Sequence, residues 1–209
     1  LLADLDGDGD IDLVHAVTRV GVVVQWNLGG TFSPGTPVYS DPRGAVSVDV
    51  ADLDGDSDLD LLIGTGDVFG AAASVVALVH DGSGGFLPPA TVAHVLADEV
   101  EVCAADLDGD GLDDALLSPC CNSNDQRAAV WHQNLGGALF GPAQVIDGTS
   151  ASEELAVIDR DRDGELDVLL LRRTSSGADR LELFTNYGTG AFGPAGLLAT
   201  EVDASFPEG

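Results

Sequence analysis

Asp52-Leu53-Asp54-Gly55-Asp56-Ser57-Asp58-Leu59-Asp60 decides how the rest of the chain is read, because the same pattern occurs four times. The other copies are Asp4-Leu5-Asp6-Gly7-Asp8-Gly9-Asp10-Ile11-Asp12, Asp106-Leu107-Asp108-Gly109-Asp110-Gly111-Leu112-Asp113-Asp114 and Asp159-Arg160-Asp161-Arg162-Asp163-Gly164-Glu165-Leu166-Asp167. Numbered as nine-residue loops, all four place Asp at positions 1, 3, 5 and 9, while positions 2, 4, 7 and 8 vary. Carboxylates this dense repel one another and disfavour a compact loop unless a hard dication sits among them. Calcium accepts roughly 6–8 oxygens at about 2.3–2.6 Å, which suits side chains from positions 1, 3 and 5, a main-chain carbonyl from 7 and a carboxylate from 9. Magnesium fits poorly, since it prefers a strict octahedron and keeps its waters. Gly at position 6 permits the tight bend in three copies, and Ser57 takes that place in the second.

The expected metal residues are therefore Asp4, Asp6, Asp8, Asp10 and Asp12 in the first loop and Asp52, Asp54, Asp56, Asp58 and Asp60 in the second. Asp106, Asp108, Asp110, Leu112 and Asp114 follow in the third, and Asp159, Asp161, Asp163, Glu165 and Asp167 in the fourth. Position 7 contributes through its main chain, so Leu112 serves there as well as a carboxylate. The expected cofactor is Ca2+, up to one ion per loop. An EF-hand is excluded, because its loop ends in a bidentate Glu at position 12, where this chain has His15, Ile63, Leu117 and Leu170. Each loop is followed instead by a short apolar run bounded by turn residues, which reads as a strand.

The loops begin at residues 4, 52, 106 and 159, giving periods of 48, 54 and 53 residues. Periods near that length, with several short strands each, belong to propeller blades. The strands expected after the loops are 11–16, 59–63, 115–118 and 166–171, followed by 21–26, 74–80, 128–132 and 180–185. A Gly-rich turn then leads to a segment with Phe and Pro: Phe32, Phe86, Phe140 and Phe192 with Pro34, Pro88, Pro142 and Pro194. One more strand precedes each later loop, at 45–51, 99–105 and 153–158. The fold class is thus all-β, a β-propeller of four-stranded antiparallel blades in four repeats, approximately 1–43, 44–96, 97–149 and 150–209, forming a single region.

The Asp-rich loop, the turns Asn27-Leu28-Gly29-Gly30 and Asn134-Leu135-Gly136-Gly137, and the segments Phe140-Gly141-Pro142-Ala143 and Phe192-Gly193-Pro194-Ala195 carry a family resemblance. Together they resemble the FG-GAP or VCBS repeat, the blade unit of calcium-binding β-propellers such as integrin α-subunit heads and many secreted proteins. The resemblance implies a four-stranded blade with calcium in the hairpin loop between its first and second strands. Ser57 departs from the pattern and is expected to loosen the second site, and Asp81-Gly82-Ser83 stands in place of Asn-Leu-Gly. Two architectures fit: four blades closed through a split first strand, or a segment of a larger propeller. The segment is favoured, because two half-strands latch a ring weakly.

The 209 residues carry a formal net charge of −28, with no Met and no Lys. Such acidity excludes nucleic-acid binding through a phosphate-neutralising patch and binding to an anionic membrane surface. No apolar run is long enough to span a bilayer as a helix, so no direct membrane insertion is expected. The start at Leu1, inside a repeat, suggests a processed or excised piece. Cys103 flanks one side of the third hairpin and Cys120-Cys121 the other, so a disulfide between Cys103 and one of the pair is expected. Calcium and a disulfide both point to a secreted, extracellular or cell-surface protein.

His15, His80, His94 and His132 show no zinc spacing and read as packing or surface residues. Trp26 and Trp131 share one strand face after alignment and read as core, and Arg172-Arg173 reads as a surface pair. No nucleophile or phosphate motif is present. The function expected is a non-enzymatic calcium-binding adhesion module whose partner is a protein or glycan, with further blades of the same polypeptide or a larger extracellular assembly beside it. A propeller domain of a secreted polysaccharide-active enzyme, or a structural subunit of such an assembly, is the alternative.

Overall fold

The computed structural model describes residues 1–66, 72–120, 128–148, 154–173 and 179–200. They form four antiparallel four-stranded sheets, each with its strands in chain order, and no helix occurs among the described residues. The first sheet contains β1 (Leu2–Ala3), β2 (Asp12–Val17), β3 (Gly21–Gln25) and β4 (Thr36–Ser40). The second contains β5 (Ala45–Ala51), β6 (Asp60–Thr65), β7 (Ala73–Leu78) and β8 (Ala90–Val95). The third runs through β9 (Glu99–Ala105), β10 (Asp114–Cys120), β11 (Ala129–Asn134) and β12 (Phe140–Asp147). The fourth is β13 (Glu154–Ile158), β14 (Asp167–Arg173), β15 (Asp179–Phe184) and β16 (Gly196–Thr200).

The acidic loops are the β1–β2, β5–β6, β9–β10 and β13–β14 connections. The last strand of each sheet is placed differently from the sequence reading. Three of the four Phe segments make only a single bridge, Asn27 with Phe32, His80 with Phe86 and Asn186 with Phe192. The outer strand begins after Pro34, Pro89 and Pro194, which lack the N–H that a ladder needs, and draws on 36–40, 90–95 and 196–200, with Pro37 accommodated on the edge strand β4. Only β12 includes its Phe-Gly-Pro.

Alternation along β2, β6, β10 and β14 buries side chains on both faces where two sheets flank a third. Leu5, Val14, Val22 and Val24 meet Leu61, Ile63 and Leu78 between the first and second sheets. Leu62, Val75 and Ala77 meet Val100, Ala115 and Leu117 between the second and third. Leu107, Leu116 and Trp131 meet Val168, Leu170 and Phe184 between the third and fourth. Each such Leu or Val contributes about 1.5–3 kcal/mol on burial, and this apolar contact holds the sheets face to face. Among the described residues no core joins the fourth sheet to the first. Both tryptophans face the following sheet; Trp131 is core, as the sequence suggested, and Trp26 is half-buried, and Trp131 packs so tightly on Gly190 that a Cβ there would lie 2.0 Å from its ring.

Side chains also join the innermost strands. Ser47 Oγ accepts from Val102 N at 3.2 Å, and Asp49 Oδ2 accepts from Ala104 N at 2.9 Å. The free N–H groups of an edge strand are thus partnered by the preceding sheet.

Two sequence expectations are corrected. Cys103 is free, and no disulfide forms with Cys120: the ladder pairs Cys103 with Leu116 and Cys120 with Glu99. Four residues of offset place the two about 13 Å apart along the strand, beyond the reach of a bond that needs Cα atoms within about 7 Å. Burial, with Asp49 beside it, pushes the Cys103 thiol up to about 12, so it is a packing residue rather than a nucleophile. Cys121 lies outside the described residues. Arg172 is not on the surface either: it is 4% exposed, pairs with Asp147 and with Glu182 at 2.9 Å, and lies 5.9 Å from the Phe184 ring centre.

Candidate metal centre

Each loop is wound by its own carboxylates. Asp52 at position 1 accepts from Gly55 N and Asp56 N on one oxygen and from Ser57 N at 2.8 Å on the other. Asp106 repeats this with Gly109, Asp110 and Gly111, and Asp159 accepts from Arg162 N and Gly164 N. At position 5, Asp8, Asp56, Asp110 and Asp163 each accept the N–H of position 7. The winding requires a left-handed backbone twice per loop, at positions 4 and 6. Glycine supplies it except at Ser57, with φ 77°, and Arg162, with φ 65°.

Position 9 has a second task that the ligand pattern alone does not reveal. Asp12, Asp60 and Asp114 are fully buried, and each accepts two main-chain N–H groups. One comes from loop position 2, Leu5, Leu53 or Leu107, at 2.8–3.0 Å. The other comes from the hairpin after the next strand, Asn27, His80 or Asn134, at 2.7–2.8 Å. Asp167 accepts Asn186 N in the same way. Burial pushes Asp60 up to about 6 and Asp114 up to about 7.

The loops bring ligand oxygens together. Within 4.8 Å of one another lie carboxylate oxygens of Asp4, Asp6 and Asp8, of Asp52, Asp54 and Asp60, of Asp106, Asp108 and Asp114, and of Asp159, Asp161 and Asp163. Asp56 and Asp110 at position 5 of the middle loops, and Asp12 and Asp167 at position 9 of the outer ones, stand outside these tightest groups. Side chains at position 7 turn toward the hairpin glycines. Atoms of Asp10, Asp58, Leu112 and Glu165 lie 3.4–4.0 Å from where a Cβ would stand on Gly29, Gly82, Gly136 and Gly188. That placement accords with a main-chain role for position 7 and with Leu112 being tolerated there.

The donor set is all oxygen, and Asp4 Oδ1 is a buried carboxylate oxygen with no hydrogen-bond partner. A hard dication would satisfy both facts, so the residues fit calcium. Bound there, the ion would neutralise the clustered charge; the chain's own part is to preset the loop through the Asp-to-backbone bonds above.

The hairpin Asn residues are structural positions beside the loops that sequence reasoning missed. Asn134 Nδ2 donates to Asp113 O of its own loop at 3.0 Å and to Leu53 O of the preceding sheet's loop at 2.8 Å. Asn186 Nδ2 repeats this with Leu166 O and Leu107 O. The recurrence of Asn just before a Gly-rich turn was the available signal. The second repeat also needs realignment, because His80, not Asp81, occupies the Asn place: it bridges Phe86 and its N–H meets Asp60. Its Nδ1 accepts from Gly82 N at 3.3 Å, as the Asn oxygens do from Gly136 and Gly188. Its Nε2 is buried without a partner, and among the described residues no side-chain amide of the second sheet bonds the first loop.

Away from the loops, Glu101 on β9 faces the fourth sheet. Burial, reinforced by Glu154, pushes its carboxyl up to about 7 although it accepts the Leu155 N–H.

A sequence model of the FG-GAP-like repeat matches residues 4–63 and 106–170, more than half of the chain. No curated protein matches it. The two matched spans hold the acidic loops of all four sheets, and the chain belongs to the FG-GAP-like repeat family.

Proposed function

We propose that this chain is a calcium-binding β-propeller segment that serves outside the cell as a non-enzymatic protein- or glycan-interaction module. The observation that carries the reading is fourfold: at the same place in every sheet, three carboxylates offer oxygens within 4.8 Å of one another. Calcium at these places would stiffen the hairpins that deliver β2, β6, β10 and β14 to the cores, linking folding to metal. Free calcium is plentiful outside the cell, which supports the extracellular assignment; with Cys103 free, the disulfide argument no longer contributes.

Further blades would complete the propeller. Among the described residues Asn27 Nδ2 bonds Ile11 O alone, whereas Asn134 and Asn186 each reach a preceding loop as well. Leu13 and Val23 on the first sheet, and Leu169, Leu171 and Leu181 on the fourth, are half-buried and lie on faces that no described sheet covers. A preceding and a following blade of the same kind would cover these faces.

The calcium assignment is tested by calorimetric titration of the chelator-stripped chain. Several ions are expected to bind, and the double substitution Asp108→Ala and Asp110→Ala is expected to remove one. An undiminished count in that variant would contradict the ligand assignment. A glycan and protein binding screen, run beside a polysaccharide-degradation assay, separates the interaction role from an enzymatic one.

A further inference from the structure

A side chain from outside the nine residues reaches a loop carboxylate in two loops: His80 Nδ1 stands 3.5 Å from Asp58 at position 7 of the second, and Gln133 bonds the carboxylates at positions 3 and 5 of the third. Gln133, the residue before the hairpin Asn on β11, extends over the loop, and its Nε2 lies 2.6 Å from Asp108 Oδ2 and 3.4 Å from Asp110 Oδ2. The corresponding residues are Trp26, Val79 and Thr185, and among the described residues none of them makes such a contact. Asp108 and Asp110 are positions 3 and 5, neighbouring ligands in the expected coordination sphere. An amide NH2 carries partial positive charge, and it stands where two carboxylates converge, the kind of place a cation takes.

Resting on the calcium reading, we propose that Gln133 is an additional metal ligand of the third loop, turning its amide so that Oε1 faces the cation when one binds. Three physical points support this. Calcium takes roughly 6–8 oxygens, the loop supplies five groups, and a Gln carbonyl is among the neutral ligands calcium accepts. The last torsion of Gln is broad and about two-fold, so exchanging Nε2 for Oε1 needs no backbone movement. Which end of an amide faces a site is set by what it meets, with NH2 favoured toward bare carboxylates and oxygen toward a cation. The third loop is thereby given a sixth oxygen group beside the five of its own nine residues.

The test is a calcium titration of the whole chain followed by NMR, with the Gly111 amide reporting the third loop and the Gly164 amide the fourth. Gln133→Leu is expected to raise the Gly111 midpoint roughly tenfold and leave Gly164 unmoved. Gln133→Glu, which keeps an oxygen at the same reach, is expected to hold or lower that midpoint. In the parent chain the Gln133 side-chain NH2 resonances are expected to shift with the Gly111 amide, a readout that needs no variant to fold. An unchanged Gly111 midpoint in Gln133→Leu, a Gln133→Glu variant as weak as Gln133→Leu, or static NH2 resonances would each overturn the assignment while leaving calcium binding intact. A parent chain whose Gly111 and Gly164 both ignore calcium would overturn the calcium reading together with this one.

Discussion

The side-chain amide of Asn134 donates to the main-chain carbonyl of Leu53 at 2.8 Å, tying the third sheet's hairpin to the second sheet's acidic loop. The same carbonyl takes a second bond from Ala138 N at 3.1 Å, so two donors of the hairpin hold one carbonyl of the loop. The acidic loop of one sheet is thus tied directly to the next sheet. Asn134→Ala, which also strips Asp113 O of its donor, should cost about 1–2 kcal/mol. Asn27→Ala loses its bond to Ile11 O and the Gly30 N–H that its Oδ1 accepts, both in an exposed setting and neither across sheets, and should cost less than about 1 kcal/mol. Urea unfolding of both variants in calcium checks the order; equal losses would show that the cross-sheet bond contributes nothing.

At the corresponding place in the second sheet, His80 leaves Nε2 buried and unpartnered. An Asn there could keep the oxygen that Gly82 N requires and present Nδ2 toward the first loop. His80→Asn is expected to raise stability by about 1 kcal/mol, read as a shift in the denaturant midpoint without a change in slope.

Ser57 and Arg162 hold a left-handed backbone that L side chains adopt at a cost of about 1–2 kcal/mol. Ser57→Gly and Arg162→Gly should each recover up to about 1 kcal/mol, since glycine also loses more freedom on folding. Calcium affinity of the second and fourth loops should rise with them, and calorimetry of the two variants would show it.

Glu101 sets a pH dependence at the interface of the third and fourth sheets. Its folded-state pKa is raised to about 7 from an ordinary 4.5 by burial and by Glu154, so the folded state holds the proton more tightly than the unfolded one. That contribution is fully present below about pH 4.5 and is lost as the pH rises through about 7. Ser118 beside it on β10, Cys103 and Glu99 on its own strand and Glu154 opposite supply no positive charge to reverse the sign. Glu101→Gln keeps an acceptor for Leu155 N and should stabilise the chain by on the order of 1 kcal/mol at pH 8, with no gain at pH 5. Thermal melts at the two pH values test this, and equal effects at both would contradict it.

The repeating carboxylates, the strand after each loop and the innermost strands 45–51 and 99–105 were all legible in the sequence, because spacing within one strand or loop fixes local neighbours. Contacts between sheets were not. Arg172 read as surface because its partners Asp147 and Glu182 come from other strands, and Asn134 read as turn chemistry because Leu53 lies 81 residues away. The disulfide expectation failed for a related reason: Cys103 and Cys120 flank one hairpin, but only the ladder register shows that they are offset along it. His80 was hidden by Asp81-Gly82-Ser83, which resembles the start of a turn and draws the alignment one residue late. The double duty of Asp12, Asp60 and Asp114 was invisible because both tasks call for the same carboxylate.

Calcium as the organiser of the four loops is tested most directly by thermal unfolding of the chain in excess calcium and in excess EDTA. Stripped loops should leave like-charged carboxylates crowded together, and the melting temperature is predicted to fall by more than about 10 °C with chelator and to recover when calcium is restored. Superimposable melts in the two conditions would contradict the account.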